Sequence, residues 1–335
     1  MNQSIEMRRI TYIDTAKGLG IFIVTLGHIV PEILNVAPII YCFWIPLFFT
    51  LSGIFFRDTE SPKRFVLKKT RSLVIPFTGW YIISYSVFGL LKILKGKSLY
   101  EVFNRFFDVF TTNDILNIPL WFLLALFWSN IFLYFAKYIL KSNRYTAISV
   151  LIISIVGINL YRFSIPNFLY IGSAMSNLPY LFFGYIIAPI LLRGGNQHKN
   201  KNLTVLLFAA FLCIGIIISI IDDEPPRLVY YNNTVAAGNP LSIYLCGSSL
   251  VLSVILLSKL LGHLPLIIWL GKNSLIILVS HLLIAPFTGT ILQMLWKTDC
   301  LLYIEMVNLI VVLSMMVVVV PLCNRFLPFI CAQKK

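Results

Sequence analysis

The sequence predicts an all-α, polytopic membrane protein of about ten transmembrane helices with both termini in the cytoplasm. Three observations predict it. Of the 335 residues, 59% are hydrophobic and 12% are charged, with a mean hydropathy of +0.87, whereas an average soluble domain carries about 25% charge. Several runs of roughly 20 residues hold few or no charges, enough to cross hydrocarbon as helices. The basic residues fall unevenly around those runs, as an oriented membrane protein requires.

The spans are expected at roughly 15–35, 38–56, 73–94, 117–139, 145–161, 177–192, 203–221, 240–258, 274–295 and 303–324. The first apolar run follows a polar segment, Met1 to Tyr12, and continues into a full span, so no cleavable signal peptide is expected. Pro76 opens the third span. Trp121 stands at the outer edge of the fourth, where an aromatic belt meets the headgroups. The sixth is short and ends near Pro189. Residues 267–270 belong to a short apolar stretch, expected in the interface before the ninth span. Pro286 and Gly289 predict a bend in the ninth. The whole chain, 1–335, reads as one integral-membrane domain. No internal repeat of the kind found in many secondary transporters is visible.

Orientation follows from counting Lys and Arg. With the N-terminus inside, 20 of the 27 fall on cytoplasmic segments and seven outside. Asp222, Asp223 and Glu224 cluster on the outer side. The two longest outer loops are about 95–116 and 222–239, the second carrying Pro225-Pro226 and the polar run from Tyr230 to Thr234. The net charge of +14 is explained by this bias, and nucleic acid is not expected as a partner. The six cysteines form no Cys-x-x-Cys pair. They read as small buried residues rather than disulfides or metal ligands, and no metal is expected.

Ionisable side chains in membrane helices are costly and mark function. The first span begins with Asp14, Lys17 and His28. Lys17 and His28 are eleven residues apart, close to three helical turns, so they share a face and lie roughly 16 Å apart along the axis. His28 sits about midway along the expected span. Its imidazole can serve as a general base or as a hydrogen-bonding partner of a neighbouring helix. Lys17 can snorkel to the headgroups, and Asp14 can cap the helix N-terminus. The second span ends in Ser52-Gly53, where Gly permits close helix approach and Ser bonds across helices. The basic stretch from Arg57 to Arg71 places Arg64, Lys68 and Arg71 on one helical face, suited either to donor phosphates or to the inside bias. The ninth span opens Gly271-Lys-Asn273-Ser274 and carries His281 two turns in. His28 and His281 are the two histidines in spans, since His198 and His263 fall in loops.

Taken in order, these stretches resemble the acyltransferase-3 family of integral-membrane acyltransferases. The carriers are Asp14-x-x-Lys17-Gly with Gly27-His28; Pro46-Leu-Phe-Phe-x-x-Ser52-Gly53; the basic helix into Arg71-x-x-x-x-Pro76; Gly271-Lys-Asn-Ser274-Leu with His281; and Trp121-Phe-Leu. Within the family the chain looks most like the fucose 4-O-acetylase branch. Many members have Arg at the position of Lys17, which keeps the charge but not the bidentate fork.

The resemblance implies O-acetylation of bacterial envelope carbohydrate, with acetyl-CoA as donor, in the bacterial cytoplasmic (inner) membrane. It implies His28, Asp14 and Lys17 as catalytic residues, with Lys17, Arg64, Lys68 and Arg71 holding the CoA phosphates. Ser52, Trp121, Asn273, Ser274 and His281 are implied as substrate-contacting or structural. The expected acceptor is a carbohydrate or lipid-linked sugar, such as O-antigen, capsule or exopolysaccharide, with glycan-assembly machinery as a possible partner. Transfer can be direct or pass through an acyl-histidine. Two other readings use the same residues: a transporter or flippase with an intramembrane proton or substrate path, and a non-catalytic subunit of a polysaccharide synthase.

Overall fold

The computed structural model describes residues 10–111, 115–163, 165–193, 201–221, 224–229, 234–296 and 300–332. Arg8, Arg9, His198, Lys199, Asp222, Asp223, Tyr230 to Asn233, Lys297, Lys334 and Lys335 lie outside the described residues. The chain folds as α1 (Thr11–Ile29), α2 (Glu32–Val36), α3 (Trp44–Ile54), α4 (Pro62–Lys69), α5 (Ile75–Leu94), α6 (Leu99–Arg105), α7 (Asp108–Thr111) and α8 (Trp121–Leu140). There follow α9 (Asn143–Asn159), α10 (Ile171–Arg193), α11 (Lys201–Ile221), β1 (Arg227–Val229), β2 (Thr234–Ala237), α12 (Pro240–Leu261), α13 (Pro265–Lys272), α14 (Ser274–Leu295) and α15 (Leu301–Phe326). The fold is all-α, with one antiparallel hairpin, β1–β2, in a connection.

Among the described residues seven helical segments are long and apolar enough to cross a membrane, and the protein is a multi-pass membrane protein. A helix occupies each of the ten expected positions. However, Pro38–Ile54 and Asn143–Asn159 are shorter than the seven, and α1, with 19 residues, carries Asp14 and Lys17.

Helix α1 is the hub. It packs against α3, α12, α13, α14 and α15, and its buried residues, from Ile13 to Ile29, lie on every side. Two glycine contacts set its spacing from α13. A Cβ on Gly18 would lie 1.9 Å from the Ile267 carbonyl oxygen, and one on Gly271 would lie 1.8 Å from that of Asp14. The backbones therefore touch, as small residues allow between membrane helices. The stretch expected in the interface is thus a helix clasped to the start of α1. The same device joins α3 to α10: Cβ atoms on Gly53 and Gly184 would lie 1.9 and 2.0 Å from the carbonyl oxygens of Leu181 and Thr50.

Four expectations are corrected, the first three by backbone chemistry. The first span was expected to reach residue 35, but α1 ends at Ile29, two residues before Pro31. Pro76 is the second residue of α5, as expected of a helix opener, but α5 has no free start. It sits in a continuous helical run from Pro62 to Leu94, just after a π-helical turn at Thr70–Val74. Proline lacks the N–H that the Ser72 carbonyl would accept in an α-helix, and a wider turn accommodates the gap. The short sixth span is the 23-residue α10, which runs through both Pro179 and Pro189. The cysteines are not all buried, since Cys213 and Cys300 are exposed. The 95–116 loop contains α6 and α7, held to α5 by Tyr81, whose hydroxyl donates to the Phe106 carbonyl at 2.6 Å.

Candidate active site

The two intramembrane histidines meet. His281 Nε2 lies 3.1 Å from His28 Nδ1, and His281 Nδ1 lies 2.9 Å from the Ile277 carbonyl oxygen. They come together because α13 runs antiparallel to α1, with Ile267 against Gly18 and Gly271 against Asp14, and α14 then turns back along α1. Ser274 then opens α14 close to Lys17, the two residues lining one cavity, and seven residues later His281 reaches the level of His28. His28 was expected midway along its helix. It stands in the last turn of α1 instead, because the helix ends early.

The geometry fixes the tautomers. A carbonyl oxygen only accepts, so His281 Nδ1 carries the hydrogen. In a neutral ring its Nε2 is then the acceptor, and His28 Nδ1 must be the donor. That leaves the Nε2 lone pair of His28 uncommitted by the pair. Exposure separates the two rings. His281 is 0% exposed, while His28 keeps accessible surface. The His28 ring also lies 5.7 Å from that of Trp44, a residue that the sequence did not single out.

A cavity of about 180 Å³ lies between α1, α3, α8 and α14. Lys17, Ser52 and Ser274 line it toward the basic end of the bundle. Its walls are apolar, among them Phe48, Phe122 and Leu126, and it reaches Val24 and Leu278. Val24 is four residues before His28 and Leu278 three before His281, so the cavity stops about one helical turn, roughly 5 Å, short of the histidine pair. Sites that enclose whole drug-sized ligands measure roughly 300–1,000 Å³. This one has room for a slender arm and none for a nucleotide.

The other expected residues divide clearly. Asp14 is buried in the first turn of α1, with its backbone against Gly271. Lys17 lines the cavity with its ammonium 5.4 Å from the Phe55 ring centre. Behind Ser52 stands the fully buried Asn130, whose Nδ2 lies 3.5 Å from the Ser52 hydroxyl and donates to the Leu126 carbonyl at 2.7 Å. Asn130 was missed, although an amide in an apolar run is itself a signal of interhelical bonding. At the α13–α14 junction the Asn273 Nδ2 donates to the Trp269 carbonyl at 2.8 Å. Trp121 is not in an interfacial belt. It is only 6% exposed and packs against Phe122 and Tyr170. Arg64, Lys68 and Arg71 are exposed, and Lys68 pairs with Glu60 at 2.8 Å. None of these three lines the cavity.

A family profile described as an acyltransferase domain matches residues 10–324, nearly the whole chain and all of the site just described. The chain belongs to the acyltransferase-3 family. It is therefore a membrane acyltransferase, and the carrier reading of the same ionisable residues gives way. No curated protein and no solved structure matches this acyltransferase.

Proposed function

We propose that this acyltransferase moves an acetyl group from acetyl-CoA to a hydroxyl of a bacterial cell-surface carbohydrate, with His28 as general base in the cytoplasmic membrane. The observation that carries the reading is the histidine pair one turn beyond an apolar cavity. The pair leaves the His28 Nε2 lone pair available to take a proton. Acetyl-CoA enters from the side where the basic residues concentrate. The cavity suits the narrow pantetheine arm, and its volume keeps the nucleotide outside. Lys17 stands at the mouth, with Arg64, Lys68 and Arg71 exposed along α4 and the π-turn beyond it. The motif order resembles the fucose 4-O-acetylase branch, which supports a sugar hydroxyl as the acceptor.

In the proposed transfer, the acceptor hydroxyl gives its proton to His28 Nε2 as its oxygen attacks the thioester carbonyl carbon. The carbon–sulfur bond then breaks. The proton passes from His28 to the departing thiolate, so the products are an acetyl ester and free CoA. His281 stays neutral throughout and holds the His28 ring by accepting from Nδ1. The acyl arm has apolar walls because water there would hydrolyse the thioester in place of transfer. Mass spectrometry of envelope glycans from cells with and without the protein tests the reading. A loss of acetyl groups from the glycan on deletion is expected, and unchanged acetylation contradicts it.

A further inference from the structure

The connection from α5 to α8 was expected as an outer loop, and the fold gives its helical part three distinct faces. Helix α6 runs on toward α7 through a tight turn. There the Phe106 N–H donates to the Phe103 carbonyl at 3.0 Å and the Phe107 N–H to that of Asn104 at 3.1 Å. Residues three or four apart therefore share a side along this track. Val102, Phe106 and Val109 form the first face, which is turned inward. Val102 and Val109 are buried, and Phe106 packs on the rings of Tyr81 and Tyr85, with centres 5.3 and 5.1 Å away. These two tyrosines fasten the face to α5 by donating to the carbonyls of Phe106 and Val102. Glu101, Asn104, Arg105 and Asp108 form a second, polar face.

The third face is made of Leu99, Tyr100, Phe103, Phe107 and Phe110. Each of these is 46–74% exposed, and the Phe103 and Phe107 rings meet edge-on with centres 5.4 Å apart. Five large apolar side chains in one exposed stripe are costly in water. The stripe follows directly on Leu90, Ile93 and Leu94, which are exposed at the end of the membrane-spanning α5. It is thus continuous in sequence and in character with a surface that faces lipid. Its phenylalanines carry no group that could read a sugar hydroxyl. Lys95 and Lys97, exposed at the turn from α5 into α6, suit anionic headgroups.

We infer that α6 and α7 lie in the membrane–water interface at the end of α5 remote from the basic helix α4, with their aromatic face sunk among phospholipid acyl chains. The partner of this surface is the bilayer itself. An interfacial helix of this kind buries its apolar side roughly 5–10 Å into the boundary between headgroups and acyl chains. The polar face then meets headgroups and water, and the Tyr81 and Tyr85 bonds hold the whole segment as a collar on α5.

Photocrosslinking of the full chain in nanodiscs of phosphatidylethanolamine and phosphatidylglycerol tests this. A benzophenone amino acid is placed at one position at a time: Leu90 as the reference for acyl-chain contact, Phe103 and Phe107 on the aromatic face, and Asn104 on the polar face. After irradiation, adducts are identified by mass spectrometry. The expected result is a phospholipid adduct at Phe103 and Phe107 in a yield comparable to that at Leu90, and severalfold less at Asn104. A yield at Phe103 and Phe107 no higher than at Asn104 overturns the inference. The same positions irradiated in native membranes separate lipid from other occupants. Adducts at Phe103 that consist mainly of a second copy of the chain, or of glycan, would assign the face to self-association or to the acceptor and would also overturn it.

Discussion

At the residue scale the site rests on a division of labour between two histidines. His28 is accessible and His281 is sealed, so a substitution at each has a different expected signature. His28→Ala removes the base and should lower the acyl-transfer rate by about 10²–10⁴. His281→Leu leaves His28 Nδ1 without its ring partner and frees the tautomer, a loss on the order of tenfold or more in kcat with little change in KM for acetyl-CoA. His281→Gln restores an acceptor at that position and should recover part of the rate; if it behaves as Leu does, orientation by hydrogen bonding is the wrong account. Steady-state kinetics on purified protein checks all three. His28 and Lys17 were legible in the sequence because ionisable groups stand out in an apolar run. Their partner was not, because nothing local joins His28 to a residue 253 positions away.

At the element scale, backbone-to-backbone helix contacts position the chemistry. The α3–α10 crossing depends on Gly53, whose added Cβ would lie 1.9 Å from a carbonyl oxygen that cannot swing away. Gly53→Ala should destabilise the protein by about 1–3 kcal/mol as overpacking, measured as a lowered midpoint of thermal unfolding in detergent. A midpoint equal to wild type would mean the crossing tolerates a wider spacing. The close approach at Gly53 was legible, because a glycine beside a small polar residue signals it. Element boundaries were less so. Hydropathy does not register that α1 stops ahead of Pro31, or that α10 runs through two prolines. Nor does it register the π-turn ahead of Pro76, which joins the third span to the basic helix before it.

At the scale of the whole molecule, composition alone disclosed an all-α membrane bundle, since apolar runs of span length leave few alternatives. The cavity was invisible at that level, because its walls come from four helices and the π-turn, far apart in sequence. The directional logic of the account is a donor entering from the basic side and an acceptor approaching His28 from beyond the cavity. That predicts a labelling pattern. A membrane-impermeant maleimide should reach the exposed Cys300, ahead of α15, in intact cells, and should reach a Lys63→Cys substitution only after the membrane is opened. Labelling of Lys63→Cys in intact cells would reverse the orientation. The central claim is that His28 performs the transfer, and the most direct test follows the acetyl group itself. Membranes containing either the wild type or His28→Ala are given radiolabelled acetyl-CoA, and label in the glycan fraction is counted. The account predicts incorporation by the wild type and near-background incorporation by His28→Ala expressed at the same level; labelling by His28→Ala at the wild-type rate would contradict it.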